Sequence, residues 1–193
     1  MKIKNLLFIL FFTIAGISVS AQSKNILGGN IYYYEQSDGN NYNINNAINF
    51  GIYVDYFHKV HNNIYIGATI GADFYYVKSR DYRQPTFYIK PTFMYCKNIT
   101  ERLRYTPQIY FAIGAGRALS NDAFYNLNDS FVEYGFGIKP FVFDYKISDN
   151  IAISFAFGGY EFSFVDYNES TKHLKLIEGG LNGNITGGFR FIF

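Results

Sequence analysis

Between Asn25 and Phe193 large apolar and small or polar residues alternate with a period of two, in runs separated by clusters of Asn, Asp, Ser and Gly. That period places successive side chains on opposite faces of an extended strand, and helical periodicity is nearly absent. Eight such segments stand out, at roughly 25–36, 48–60, 64–79, 86–98, 105–119, 131–147, 151–166 and 179–193. In the second, Ile48, Phe50, Ile52, Val54 and Tyr56 share one face, and Asn49, Gly51, Tyr53 and Asp55 the other. The third sets Ile66, Ile70 and Phe74 against Gly67, Thr69 and Asp73, and the fourth Phe87, Ile89 and Phe93 against Tyr88, Lys90 and Thr92. The fifth opposes Ile109, Phe111 and Ile113 to Gln108, Tyr110 and Gly114, and the sixth Val132, Tyr134, Phe136 and Ile138 to Glu133, Gly135, Gly137 and Lys139. The last opposes Phe189, Phe191 and Phe193 to Gly188 and Arg190.

One face is nearly free of charge, while the other carries Gly, Asn, Thr and single charges. A soluble β-sandwich also alternates, but its polar face is solvated and rich in Lys and Glu. A polar face crowded with small residues fits the narrow interior of a closed barrel, and an apolar face turned outward fits lipid. The pattern therefore predicts an all-β fold: an eight-stranded antiparallel transmembrane β-barrel, an up-and-down meander over residues 22–193.

Two segments break the pattern. In the seventh, Ile151, Ile153, Phe155 and Phe157 fall on one parity and Tyr160, Phe162 and Phe164 on the other, with Gly158 and Gly159 at the switch. An extra residue inverts the phase of a strand, so a bulge at the glycine pair would restore one outward surface. The first segment is ambiguous around Tyr32, Tyr33 and Tyr34. The connections alternate in length. His61 to Asn63, Ile99 to Arg104 and Ser148 to Asn150 are short, and SDGNNYNINN, SRDYRQ, SNDAFYNLNDS and NESTKHLKLIE are mostly longer. Short periplasmic turns and longer outer loops predict both termini in the periplasm.

The first residues, MKIKNLLFILFFTIAGISVSAQ, combine two lysines, an apolar run shorter than a spanning helix, and Val19 and Ala21 at signal-peptidase spacing. Residues 1–21 are thus predicted to be a signal peptide, cut between Ala21 and Gln22. Loss of Lys2 and Lys4 leaves 15 basic residues against 15 acidic ones. A neutral mature chain offers nothing for a nucleic-acid partner. After Ala21 no apolar stretch approaches the length of a membrane helix and the mean hydropathy is -0.05, yet 21% of residues are aromatic, with no Trp. Tyr and Phe must then form the interfacial girdles. Cys96 is the sole cysteine, so no internal disulfide staples the chain.

The signal peptide, the hairpin FVFDYKISDNIAISFAFGG and the terminal FRFIF together resemble the small outer-membrane β-barrel proteins of the OmpA and OmpX type. They resemble more closely the single-domain porin-like barrels common in Bacteroidota. The resemblance implies location in the outer membrane of a Gram-negative bacterium, with contact to outer-membrane lipid and lipopolysaccharide. It also implies that Phe189, Phe191 and Phe193 are the insertion signal read by the barrel assembly machinery. No peptidoglycan-binding domain follows the barrel, so that part of the resemblance is not carried over.

An eight-stranded interior is filled by side chains, so at most a minor pore is expected. Asp55, Asp73, Lys90, Glu133, Lys139 and Arg190 fall on the inward parity and are expected to form a lumen charge network. Asp73 and Lys90 are symmetric about a loop tip at Asp81 and Tyr82, which predicts that they face each other across the hairpin. Arg117, Lys78 and Arg80 lie near the outer strand ends, where they would meet lipopolysaccharide phosphates. The outer loops carry Tyr42, Phe124 and Tyr125, side chains suited to an adaptable contact surface.

Some barrels of this kind modify lipid A with a His, a Ser and an acid. Only His173 is placed for that role, with Ser170, Asp166 and Ser163 nearby; His58 and His61 fall at the opposite end. Lys175 stands where the family's His-x-Ser spacing would need a serine. No metal-ligand spacing is present, and Gly114 to Gly116 lies inside a strand with no helix to receive a phosphate. The expected role is non-enzymatic and without a cofactor: envelope integrity or surface interaction. A lipid A modifying enzyme and an accessory barrel of a secretion system stand as the alternatives.

Overall fold

Alternation becomes strand wherever it is uninterrupted. The computed structural model describes residues 25–36, 47–77, 81–122, 125–168, 173–180 and 185–193. Four long strands open the chain: β1 (Asn25–Gln36), β2 (Ala47–His61), β3 (Ile64–Val77) and β4 (Tyr82–Tyr95). A short β5 (Lys97–Asn98) and β6 (Leu103–Tyr105) lead into β7 (Gln108–Asp122), which turns into β8 (Tyr125–Lys139). Then come β9 (Phe141–Lys146), β10 (Ile151–Phe157), β11 (Gly159–Tyr167), β12 (His173–Gly180) and β13 (Thr186–Ile192).

All thirteen belong to one antiparallel sheet, in which β1 pairs with β2 on one side and with β13 on the other. The first and last strands therefore meet, Ile26 opposite Ile192 and Tyr32 opposite Thr186. The contact is locked at the chain end by hydrogen bonds exchanged between Asn25 and Phe193. The sheet is a curled meander with an interior and an exterior.

The predicted faces hold in the regular strands. Tyr88, Lys90, Thr92 and Met94 are buried on β4, whereas Phe87, Ile89 and Phe93 are exposed. On β7, Gln108, Tyr110 and Ala112 are buried and Ile109, Phe111 and Ile113 exposed. The ambiguous first strand resolves with Tyr32 inside and Ile31 and Tyr33 outside.

Where eight segments are predicted, thirteen strands lie among the described residues, because the later segments are interrupted. Cys96 separates β4 from β5, Pro140 separates β8 from β9, and Gly158 separates β10 from β11. Proline supplies no N–H to a ladder. Across Pro140 the buried positions change from odd (Phe131, Glu133) to even (Val142, Asp144), a switch that the parity count over 131–147 does not anticipate. On the β6–β7 side, Gln108 faces Lys139 and Tyr105 faces Phe143, so four steps on one strand match three on the other. On the opposite side no residue is gained. Ile138 faces Tyr160 and Phe141 faces Phe157, because the neighbouring strand inverts at the same level. Gly158 has φ 69°, a left-handed conformation that glycine adopts without penalty. Ala152, Ser154 and Ala156 are inside before it, Ser163 and Val165 after it.

Two stretches expected to be loops are strand. SNDAFYNLNDS folds into the end of β7 and the start of β8, with Asp122 opposite Tyr125. NESTKHLKLIE supplies most of β12. Their polar residues read as loop because neither stretch keeps an apolar alternation. The signal peptide, the cut between Ala21 and Gln22, and Tyr42, Lys78, Arg80, Phe124 and Ser170 lie outside the described residues.

Candidate functional site

Inward parity collects the polar chemistry of the chain in the interior, and the contacts there form successive levels. At the end holding Asn25 and Phe193, Ile26, Phe57, Tyr65, Met94, Cys96, Ala152 and Ile192 pack into an apolar cluster. The Cys96 thiol is buried within it and serves as an unreactive part of the packing.

Above that cluster lies a charge centre built from the late strands. Arg190 on β13 places Nη1 2.8 and 2.9 Å from the two carboxylate oxygens of Asp144 on β9. Arg104 on β6 donates to the same carboxylate at 3.0 Å. Arg190 also reaches the Thr106 hydroxyl at 3.2 Å, and its guanidinium stands 5.7 Å from the centre of the Phe57 ring. All three charged side chains are buried.

The next level is carried by β1 to β3. Asp55 accepts hydrogen bonds from Thr69 at 2.7 Å and from the Asn30 amide. Beyond it Lys90 is enclosed by aromatic rings: its Nζ is 5.4 Å from the Tyr53 ring centre, 4.6 Å from Tyr88 and 5.1 Å from Tyr110. Its carboxylate partner is Glu161 on β11, 3.3 Å away across the interior, and Tyr110 donates to the same Glu161 oxygen at 2.6 Å. Tyr88 donates to Glu133 at 2.5 Å, and Tyr53 to both oxygens of Asp73 at 2.5 and 2.6 Å. Toward the loop end, Ala118, Phe131 and Val165 form a second apolar cluster, joined by Tyr82 and Tyr167.

The six residues of the expected network thus all lie on the inward-facing parity, but the predicted Asp73–Lys90 pair is not formed. The β3–β4 register places Asp73 opposite Thr86 and Lys90 opposite Thr69, because the hairpin turns before Asp81 rather than at it. Asp81, with φ 41°, sits at the end of that turn. Lys139 lies over the Tyr110 ring at 5.7 Å.

Asp144, Arg104 and Glu161 are central here and are absent from the expected network. The signal for Asp144 is present in the sequence: Phe141, Phe143 and Tyr145 are odd-numbered, whereas Val132 to Ile138 are even, so the phase must flip between them. Arg104 falls in a stretch whose pattern reads as a turn.

Of the residues grouped with His173 as candidates, Asp166 and Ser163 are the ones whose side chains are described. His173 pairs with Asp166 through the backbone. Ser163 is buried in the interior, while Asp166 receives the Tyr134 hydroxyl on the outer face at 3.4 Å. Ser163 and Asp166 therefore lie on opposite sides of the sheet. At the other end, His58 Nδ1 lies 2.8 Å from the Asn25 amide oxygen. Among the described residues no group of His, Cys, Asp and Glu is placed to hold a metal ion.

An antiparallel meander whose first and last strands pair, apolar outside and charged within, defines the class of outer-membrane β-barrel folds. Solved structures agree. Neisserial surface protein A matches with a TM-score of 0.53 at 10% identity, over 88% of this chain and 97% of that one. A major outer membrane protein from Thermus thermophilus matches at 0.54 and 8% identity, over 89% and 100%. Ail, the attachment invasion locus protein of Yersinia pestis, matches at 0.50 and 14% identity, over 89% and 98%. No family model and no curated protein matches the sequence. The likeness is one of fold: the chain has the architecture of the small outer-membrane barrels.

Proposed function

We propose that the thirteen segments are eight continuous strands of one closed barrel spanning a Gram-negative outer membrane. Its role there is non-enzymatic: it contributes to envelope integrity and offers its loop end as a contact surface. The observation that carries this reading is the separation of side chains across the sheet. Ile52, Ile66, Phe87, Phe111, Phe136 and Phe189 point outward, while Asp55, Lys90, Glu133, Asp144 and Arg190 are buried within. In water such an arrangement would leave the apolar side exposed and the charges dehydrated, and only a lipid surround makes both favourable. At Cys96, Pro140 and Gly158 the strand resumes in the same direction after a single residue, which supports counting eight strands.

The filled interior favours a scaffold over a conduit. Apolar clusters occupy both ends of the lumen, with paired charges between them. In this reading Phe189, Phe191 and Phe193 present the insertion signal, the termini face the periplasm, and Arg117 stands at the outer leaflet beside lipopolysaccharide phosphates. The β7–β8 hairpin continues beyond Ser120, the last β7 residue paired with β4, and so offers contact surface beyond the rim.

The test is reconstitution of the mature chain into vesicles loaded with a small dye and an ion-sensitive probe. Insertion is read from a heat-dependent shift in electrophoretic mobility. Inserted protein with both contents retained is the expected result. Ion or dye release would replace the scaffold with a pore, and failure to insert would remove the membrane reading. A lipid A mass spectrum that changes with expression of the protein would instead favour the enzyme alternative.

A further inference from the structure

Above the apolar band, the outward face of β4 and β7 carries two arginines. Outward residues from Ile109 to Ala115 on β7 and from Val132 to Ile138 on β8 bear no charge, and the same holds for Phe87, Ile89 and Phe93 on β4. Arg83 on β4 and Arg117 on β7 share that parity and are exposed. Arg83 faces Leu119 and Thr86 faces Gly116, a constant register that sets Arg117 opposite Pro85 and diagonal to Arg83. Residues so placed are about 7–8 Å apart, a gap that two long side chains close. On its other side Arg117 faces Ser130 of β8. The Ser130 hydroxyl accepts from the Asn168 amide at 2.7 Å, which leaves its own proton to donate. Arg83, Arg117, Ser130 and Asn168 thus stand side by side across β4, β7, β8 and the end of β11.

Height and charge favour an anionic group here. From Tyr105 on β6 to Arg117, along one strand of the proposed barrel, a rise of about 3.4 Å per residue at a tilt of about 40° climbs roughly 30 Å, the thickness of a hydrocarbon core. Arg117 therefore reaches the headgroup level at the loop end. The β3–β4 turn and β7 up to Ser120 hold Lys78, Arg80, Arg83 and Arg117 against Asp81 alone. Asp81 is 2.9 Å from Arg83, but the pair is exposed, 61% for the arginine and 38% for the aspartate, and such pairs are weak. Of the other acids nearby, Asp129 is buried on the inner face and Asp122 ends β7. Asp166, opposite Val132 on the second strand from Arg117, takes the Tyr134 hydroxyl. Among the described residues Arg117 is in no ion pair. A guanidinium fork on a lipid-facing wall is matched by a pair of phosphate oxygens, which supply charge as well as acceptors at this level of a membrane.

We propose that Arg83 and Arg117 together bind one phosphate of a phosphorylated glycolipid in the outer leaflet. Ser130 and Asn168 meet its sugar hydroxyls, and its acyl chains lie down the wall over Phe87, Ala115 and Val132. The neutral donor and acceptor groups beside the arginines favour a sugar headgroup over a glycerol one. Arg83 and this polar pair extend the contact given to Arg117 above, so the inference rests on the membrane reading. Insertion, read by the mobility shift, tests that reading separately.

The experiment uses the full mature chain after its insertion has been shown. It is placed in phosphatidylcholine nanodiscs that contain a small fraction of bisphosphorylated lipid A, lipid A stripped of phosphate, or phosphatidylglycerol. Lipid retained by the barrel is counted by native mass spectrometry. Wild type is expected to retain bisphosphorylated lipid A above the other two. Arg83→Gln and Arg117→Gln should each lower that retention about tenfold, the worth of a charge-assisted contact. Arg102→Gln, exposed at the opposite end, should leave it unchanged. Ser130→Ala should lower retention of lipid A and not that of phosphatidylglycerol. The substituted side chains are exposed, and the mobility shift checks that each variant folds. Equal retention of lipid A with and without its phosphates, or retention that survives the Arg83→Gln, Arg117→Gln double variant, would overturn the proposal. Phosphatidylglycerol retained as well as lipid A would overturn the glycolipid assignment and leave a general contact with anionic lipid.

Discussion

Arg190 grips both carboxylate oxygens of Asp144, a residue 46 positions earlier, with neither side chain reaching solvent. β10 lies between the strands that carry them, paired with both. The pair therefore ties non-adjacent strands through the interior, close to where the first and last strands meet. Asp144→Asn would leave two guanidinium groups sharing a neutral amide. Removing one partner of a buried pair costs about 3–5 kcal/mol. The urea midpoint in lipid vesicles should fall accordingly, and Asp144→Asn should cost much less in a background where Arg190 is already Met.

Lys90 takes its charge partner from across the lumen. A double-mutant cycle of Lys90→Met with Glu161→Gln is expected to give a coupling of about 1–3 kcal/mol. The cycle of Lys90→Met with Asp73→Asn should give a smaller value, since Asp73 is held by Tyr53 instead. Equal couplings would mean that the interior charges act as one undivided network.

Glycines on the two faces should respond oppositely to the same substitution. A Cβ at Gly71 would overlap the Tyr53 ring and the Ile52 carbonyl, whereas one at Gly29 meets nothing. Gly71→Val is expected to destabilise by about 1–3 kcal/mol through overpacking. Gly29→Val, facing outward, should fall within about 0.5 kcal/mol of wild type. Urea unfolding of the two variants side by side checks both values.

Depth in the membrane should set the cost of an outward charge. Phe111 and Phe136 are paired neighbours in the middle of the β7–β8 face, and both are exposed. Phe136→Arg should cost about 2–4 kcal/mol, and Ile147→Arg, at a turn on the terminus end, about 0–1 kcal/mol. A flat profile between these sites would mean that the outer face does not meet lipid.

Much of this fold is legible because a half-buried strand leaves its period in the sequence, and β2, β3, β4 and β7 keep one phase throughout. What escapes is whatever depends on an inserted residue or on a turn. The flip at Pro140 hides Asp144, since its outward parity comes from counting across the break. The β3–β4 hairpin turns two residues earlier than symmetry about Asp81 and Tyr82 suggests, so Lys90 falls opposite Thr69 instead of Asp73. Glu161 is within reach, because the bulge inferred at Gly158 already turns Tyr160 and Phe162 outward and Glu161 inward.

The paired inversions at Pro140 and Gly158 also constrain how such a chain can change in length. Deleting Pro140 alone would leave an unbroken alternation, with Phe141 and Phe143 outward and Val142 and Asp144 inward, and would remove the extra residue facing the Tyr105 to Gln108 stretch, but it would leave the inversion at Gly158 beside a strand that no longer inverts. Loss of one residue there is matched only if the adjoining strand loses its own at the same height, while the partner on the other side, from Tyr105 to Gln108, needs no change. Insertions and deletions in this part of the wall should therefore be inherited in sets, spread over strands distant in sequence, while the hairpin tips remain free to lengthen one residue at a time.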